Sequence, residues 1–333
     1  MLKVTFFQRR ARKGFDFSLE SIFEDVRHQL NTRIEAKTEI CSYYNDGWLT
    51  KFSNIWEATF RQSSMVNHIT GEVHFLNLLM RKKTVLLTVL DCRFMDRKKG
   101  WRKALMRWLY LTLPVKKAKY ITAISEATKE DILKYTNCKA NKIKVIPVSI
   151  HEMYQPFPKA FNSTKPNILH IGTGENKNLL RLTEALADIP CHLSIVGKLN
   201  EDQKAHLAKY QIDYSNAYNI SQEEMLQQYH HCDLLAFVST FEGFGMPIIE
   251  ANSVERPVLT SNLASMPEVA VNAALLVNPY EVKDIRAGIL RLIHEADLRQ
   301  KLIEAGRKNK LRFQSKAIAQ QYFELYQKIA ARV

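Results

Sequence analysis

The chain has 333 residues, 46% of them apolar, with 10 prolines and 11 glycines: an ordinary globular composition with material for two domains of about 150 residues. Five scattered cysteines (Cys41, Cys92, Cys138, Cys191, Cys232), none paired as CxxC, exclude a disulfide framework or zinc site and suit a reduced cytoplasm. The net charge of +14 is lopsided, because residues 1–150 hold 28 basic against 14 acidic side chains and the remainder holds 20 of each.

No apolar run approaches the ~18 residues that span a bilayer, and MLKVTFF lacks the cleavage site of a signal peptide. The expectation is a soluble cytoplasmic protein. In chain order, LKVTFF, TVLLTVL, YITAIS and KIKVIPV read as strands, while SLESIFEDVRHQL and SEATKEDILKYT read as helices, each opening at a capping serine. PVSIHEMYQPFPKAFNSTKPN, with four prolines, reads as a linker. Alternation then restarts with NILHIG (strand), NKNLLRLTEALADI (helix), CHLSIVG (strand), SQEEMLQQYHHC (helix), DLLAFVS (strand) and PIIEANSVE (helix). RPVLTSN and AALLVN follow as strands, and the last forty residues are mostly helix. The pattern predicts an α/β protein of two doubly wound parallel-sheet domains, 1–150 and 151–316, with a final helix at 317–333 returning to the first.

Ligands of open parallel sheets bind beyond the carboxyl ends of the strands, where helix N-termini present unpaired N–H groups. Two turns suit this. In IGTGENKN, Gly172 and Gly174 permit a tight bend and Lys177 supplies a cation for a diphosphate; ordinary turn geometry explains the glycines equally well. In STFEGFGMPIIEA, Gly243-Phe244-Gly245 forms a side-chain-poor loop and Pro247 suits the first turn of a helix. A carboxylate beside a phosphate is costly unless it serves another purpose, and accepting hydrogen bonds from sugar and ribose hydroxyls is such a purpose for Glu242 and Glu250. The alternative is that Glu242 caps the helix and Glu250 sits on its solvated face.

E-G-F-G-x-P-x-x-E resembles the signature of family-4 retaining glycosyltransferases of the GT-B fold, whose two Rossmann-like domains face each other across a cleft. ILHIGTGENKNLLRLTEAL, HHCDLLAFVSTFEGFGMPIIEA and VLTSNLASMPEVAVNAALLVNPYEVKDI are similar to the family's donor domain. YITAISEATKEDILKY and KIKVIPVSI resemble the end of its acceptor domain. The resemblance covers most of 80–330. It implies sugar transfer, with retention and without a metal or cofactor, from a UDP- or GDP-sugar; a glycan or lipid-linked acceptor of surface polysaccharide synthesis fits the basic charge of the first half. It makes Glu242, Lys177 and Asp91 the expected catalytic residues. Donor contacts are expected from Gly172, Thr173, Gly174, Lys177, Asn178, Gly197, Lys198, Glu242, Gly243, Phe244, Gly245, Met246, Pro247 and Glu250. Two positions depart from the family pattern: Thr173 stands where many members carry Arg, and Leu90, before Asp91, stands where many carry His. A leucine neither hydrogen-bonds a sugar nor moves a proton.

His68 and His74 in NHITGEVHF are expected on the acceptor side, against the alternative of a strand-edge histidine with an ordinary partner. Glu268 borders the donor site in the family or caps a helix, and both roles stay open. His230-His231-Cys232-Asp233 reads as filler, because consecutive side chains diverge and metal ligands skip positions. Residues 81–119 hold 13 basic and 2 acidic side chains. There DRKKGWRKALMRWLYLTLPVKKAKY sets Trp101, Leu105, Trp108 and Leu109 among Arg102, Lys103 and Arg107. That helix suits an anionic inner-membrane surface; a core-facing stripe with a basic back is the alternative. A nucleic-acid partner is not expected, since no helix-turn-helix or RNP-type signature is present. The alternatives to an enzyme are a catalytically weak or inert sugar-nucleotide-binding protein and, against that missing signature, a basic nucleic-acid-binding protein.

Overall fold

The computed structural model describes residues 1–10, 18–95 and 100–331. Residues 96–99 of the basic stretch, and the capping side chain expected at Ser18, lie outside the described part. The chain divides into two units, Met1–Ser149 with Ser315–Val333, and Ile150–Gln314.

In the first unit, β1 (Leu2–Gln8), β2 (Ile34–Ile40), β3 (Val66–Thr70), β4 (Val85–Val89), β5 (Tyr120–Ala123) and β6 (Ile143–Val145) form one parallel sheet ordered β2-β1-β3-β4-β5-β6. The helices α1 (Ser18–Gln29), α2 (Trp48–Phe60), α3 (Gly100–Arg107), α4 (Leu113–Lys117) and α5 (Glu126–Thr136) accompany it. A π-helical turn, Trp108–Thr112, joins α3 to α4. The segments expected as strands become β1, β4, β5 and β6. Their near-continuous apolar runs suit strands buried on both faces.

In the second unit, β7 (Asn167–Ile171), β8 (His192–Val196), β9 (Tyr214–Ala217), β10 (Leu234–Phe237), β11 (Val258–Ser261) and β12 (Leu275–Val277) run parallel in the order β12-β11-β10-β7-β8-β9. Between them lie α6 (Leu179–Ala185), α7 (Glu201–Lys209), α8 (Gln222–His231), α9 (Met246–Ser253), α10 (Met266–Ala270), α11 (Val282–His294) and α12 (Ala296–Asn309). The last helix, α13 (Ser315–Ala330), belongs to the first unit. Its Ile318, Tyr322, Tyr326 and Ile329 pack with Val4, Phe6, Phe23 and Val66.

Several elements were not foreseen from the sequence, β2, β9, α7 and α2 among them. β2 and β9 are edge strands whose residues are mostly exposed, so neither carries an apolar run. α7 is short and weakly amphipathic, and its Asn200 and Gln203 form a reciprocal capping box. α2 buries only Asn54, Ile55 and Ala58 and turns its large apolar residues outward.

The proline-rich linker is tied down. Asp233, at the start of β10, is almost fully buried; its carboxylate accepts from Lys159 Nζ at 2.5 Å and from the backbone N–H groups of Asn162 and Asn167 at 3.2 and 2.7 Å. The sheet order reverses between β7 and β10, so the loops leaving these neighbouring strands diverge and open a crevice at their carboxyl ends.

Candidate functional site

Both sequence-predicted turns meet in that crevice. β7 ends at Ile171, and Gly172 follows with φ +91°. A Cβ on Gly172 would lie 2.8–3.0 Å from the Cε, Cγ and Cδ atoms of Lys177, so the missing side chain is what lets the lysine stem fold back across the loop. Gly197, at the end of β8 with φ +140°, leaves room in the same way for Thr173, whose Cγ2 would approach its Cβ to 2.8 Å. Thr173 closes the loop by donating its hydroxyl to the Lys198 carbonyl at 2.8 Å.

The lysine points at the second turn. Lys177 Nζ donates to Glu242 Oε1 at 2.7 Å, and both side chains are largely buried. Asn176, which the sequence reading passed over, donates to the same Oε1 at 3.2 Å and to the Phe241 carbonyl at 2.9 Å. Its own carbonyl accepts from Thr240 N at 2.8 Å. Ser265 fastens the loop from the other side, its hydroxyl within 2.9 Å of the Glu242 carbonyl and 2.7 Å of the Phe244 carbonyl. Gly245 caps α9 at φ +108°, and Pro247 occupies the first turn where its missing N–H costs nothing. The buried Ser239 hydroxyl, just after β10, has no hydrogen-bond partner among the described residues.

Glu250 lies one turn into α9 and meets phenols. Tyr229 donates its hydroxyl to Glu250 Oε2 at 2.5 Å, and Tyr154 also donates to this carboxylate. Burial pushes the Glu250 carboxyl up to about 7, opposed by the two phenolic hydrogen bonds and by the positive charge of Lys177. The same lysine therefore acts on both acids. Tyr229 and Tyr154 carried no sequence signal, since they become partners only through the packing of α8 and the linker.

Other expected donor residues have scaffold roles. Asn178, at φ +64°, is buried; its amide donates to the Val238 and Pro279 carbonyls at 3.1 and 2.7 Å, and its oxygen accepts from Arg181. Phe244 is buried edge-on against Phe313 at 5.6 Å. Met246 opens α9 half-buried, Gly174 caps the turn after β7, and the Lys198 side chain is exposed. Glu268 lies in the first turn of α10, and its carbonyl accepts from Arg312.

In the first unit, His68 is fully enclosed on β3. Its ring nitrogens meet the Tyr326 hydroxyl at 2.8 Å and the Thr88 hydroxyl at 2.7 Å, and burial depresses its pKa to about 3. It has no surface to offer an acceptor, and its partners come from α13 and β4. His74 is likewise buried, Nδ1 donating to the Tyr110 carbonyl at 3.1 Å, with its pKa depressed to about 4. Asp91 follows β4 half-buried and accepts from Arg93 N at 2.9 Å; Leu90 beside it is buried. His230 stacks on Phe157 at 4.0 Å, which accords with packing rather than metal binding. Among the described residues no group of three or more His, Cys, Asp or Glu is arranged to hold a metal.

Comparison with known proteins matches residues 154–309 to the family of glycosyl transferases group 1. The serotype-specific mannosyltransferase WbdA of Escherichia coli is 24% identical over 51% of this chain, and the O-antigen chain mannosyltransferase B of Escherichia coli is 28% identical over 55%. The alignments take in 24% and 54% of those two proteins, so this chain spans well under two thirds of the relatives' length. Among solved structures, Anabaena HepE in complex with UDP and glucose superposes with a TM-score of 0.76 at 15% identity, covering 98% of this chain and 100% of that one. That likeness is one of fold, and two six-stranded parallel sheets with flanking helices are its shared frame. The matched residues 154–309, the part of the chain that holds the Lys177–Glu242 pair, are similar to the glycosyl transferases group 1 family.

Proposed function

We propose that the protein moves a hexose, with mannose the first candidate, from a UDP- or GDP-sugar to a glycan or lipid-linked acceptor in surface polysaccharide synthesis. The observation that carries this is the Lys177–Glu242 pair at the reversal between β7 and β10, with Gly172 making room for the lysine. An ammonium held at the end of a parallel strand suits a departing diphosphate, and an acid held against it suits sugar hydroxyls. The mannosyltransferase relatives support the choice of sugar.

In this reading the bond from the anomeric carbon to the diphosphate oxygen breaks while Lys177 neutralises the charge that develops there. The acceptor hydroxyl adds to the face the diphosphate leaves, which retains configuration, and its proton passes to the diphosphate. Leu90 leaves no imidazole at its position to take that proton. No metal is invoked. Asp91 is kept as an acceptor-side residue on the strength of the resemblance alone.

The test is a thermal-shift panel of nucleoside diphosphate sugars followed by turnover assays. One donor class raises the melting temperature by mass action on the folded state. Glu242→Ala lowers kcat/KM by about 10²-fold or more with the fold intact. A panel with no stabilising member, or turnover indifferent to Glu242→Ala, defeats the proposal. Binding without turnover in the native protein selects the inert binder that Leu90 favours.

We also propose that the first unit rests on an anionic membrane surface. No helix among the described residues is long and apolar enough to cross a membrane. Trp101, Leu105 and Trp108 are exposed rather than core-facing, and α2 exposes Trp48, Leu49, Phe52, Trp56 and Phe60. Apolar side chains flanked by Lys51, Lys103 and Arg107 suit the interfacial layer, where each basic residue contributes about 1 kcal/mol. Co-sedimentation with phosphatidylglycerol vesicles is expected for the native chain and is lost in Phe52→Glu/Trp56→Glu. Absence of binding at low salt, with the fold intact, refutes it.

A further inference from the structure

One cavity of the first unit, of about 730 Å³, is not at the carboxyl ends of its strands. It opens at the amino ends of β4, β5 and β6, the other end of the sheet from Asp91. Six lysines from five segments line it: Lys82 before β4, Lys116 of α4, Lys119 before β5, Lys139 and Lys142 before β6, and Lys328 of α13. No aspartate or glutamate lines it. Nor do any of the six ammonium groups form an ion pair among the described residues, although exposed lysines elsewhere do, such as Lys37 with Glu39 and Lys3 with Glu35.

Such a cluster is unfavourable by itself. Unit charges a few ångströms apart repel by kilocalories unless water or a counter-charge intervenes. Lys142 records the strain: burial, with the charges of Lys82 and Lys119, holds its pKa below the usual lysine range, and its ammonium resorts to the Val115 carbonyl. The neutral lining adds donors. The Tyr120 hydroxyl is buried without a hydrogen-bond partner among the described residues, and the Lys328 ammonium sits 5.6 Å from that ring. Thr112, Asn137 and Asn141 complete the polar rim.

We propose that this cavity is a second, anion-binding site that takes a compact polyanion bearing two or more phosphate groups. A single phosphate leaves most of the ammonium groups uncompensated, whereas a polyphosphate or a lipid headgroup bearing two phosphates spans several at once. The site is independent of the donor crevice and does not rest on the transferase reading. Its ligand is either a soluble phosphorylated compound or the headgroup of a lipid, and the two sources are separable.

The experiment is isothermal titration of inorganic tripolyphosphate into the full chain carrying Lys177→Ala, which removes the donor-site ammonium. One-to-one binding is expected, and Lys82→Gln/Lys119→Gln/Lys139→Gln in that background weakens it about tenfold or more. The control Lys3→Gln/Lys37→Gln/Lys134→Gln, which removes equal charge from exposed positions of the same unit, changes it less than about twofold. A parallel arm uses vesicles of cardiolipin, whose headgroup carries two phosphates, and of phosphatidylcholine. Binding to the anionic vesicles that the cavity triple variant loses and the control keeps, without tripolyphosphate binding, identifies a lipid headgroup. The proposal fails if neither probe binds, or if the control loses as much as the cavity variant; circular dichroism verifies the fold of each.

Discussion

At the scale of single residues, Glu250 makes the sharpest statement. Its carboxyl sits at about 7, so the ligand-free protein crosses from acid to carboxylate within the working range. A carboxylate accepts from both ribose hydroxyls, whereas the acid spends one oxygen as a donor. Affinity for the nucleoside diphosphate sugar is therefore expected to rise from pH 6 toward pH 8, approaching tenfold per unit below the midpoint. Tyr229→Phe removes a hydrogen bond that lowers this pKa and so moves the midpoint upward. Glu250→Gln binds more weakly and flattens the profile. Titration at pH 6, 7 and 8 distinguishes these outcomes, and an unchanged profile in Glu250→Gln refutes the assignment. The motif residues Lys177, Glu242 and Glu250 were legible because glycine, proline and paired acids beyond an apolar strand are an unusual composition. Asn176, Tyr154, Tyr229 and Ser265 were not, because asparagine, tyrosine and serine in loops and helices are common and only their contacts distinguish them.

At the scale of elements, close approach of helix to sheet fixes the second unit. Gly288 lies in α11, and a Cβ there would stand 2.6 Å from Leu259 Cδ1 of β11 and 2.8 Å from Val277 Cγ1 of β12. In open space a mid-helix Gly→Ala change stabilises by about 1 kcal/mol. Here the methyl group forces two core side chains aside, and overpacking costs about 1–3 kcal/mol. Gly288→Ala is thus expected to lower the urea midpoint of the second unit, and Gly288→Val to lower it further. A rise in that midpoint contradicts the packing argument. The same scale explains which elements the sequence concealed. β2 and β9 lie at sheet edges and alternate polar residues, and α2 inverts the usual pattern by burying Asn54 while exposing Phe52 and Trp56.

At the scale of the whole molecule, buried titratable groups divide the acid response between the units. His68 at about 3 and His74 at about 4 remain neutral in the folded first unit, while the unfolded chain takes up protons below about 6.5. The unfolded state binds more protons in that window, so stability falls as pH falls from about 6.5 to 4.5, by up to about 2.7 kcal/mol per pH unit. In the second unit His170, at about 4, acts in the same direction. Glu250 opposes it, because between about 4.5 and 7 the folded unit holds a proton that the unfolded chain has lost. Hydrogen exchange is expected to show α13 and β3 losing protection between pH 6.5 and 4.5 far more than β7 and β10. Equal loss in both units counts against the assignment.

The sequence alone determined the alternation of strand and helix, the two glycine-bearing turns and the concentration of charge before residue 150, because periodicity, turn chemistry and charge are local properties of the chain. It left open whether His68 faces a ligand or a core, which side of α3 meets water, and which lysines gather at the amino ends of β4 to β6. Those were decided by tertiary structure. A side chain's neighbours come from strands and helices remote in sequence, and only packing sets the burial and field that govern its chemistry.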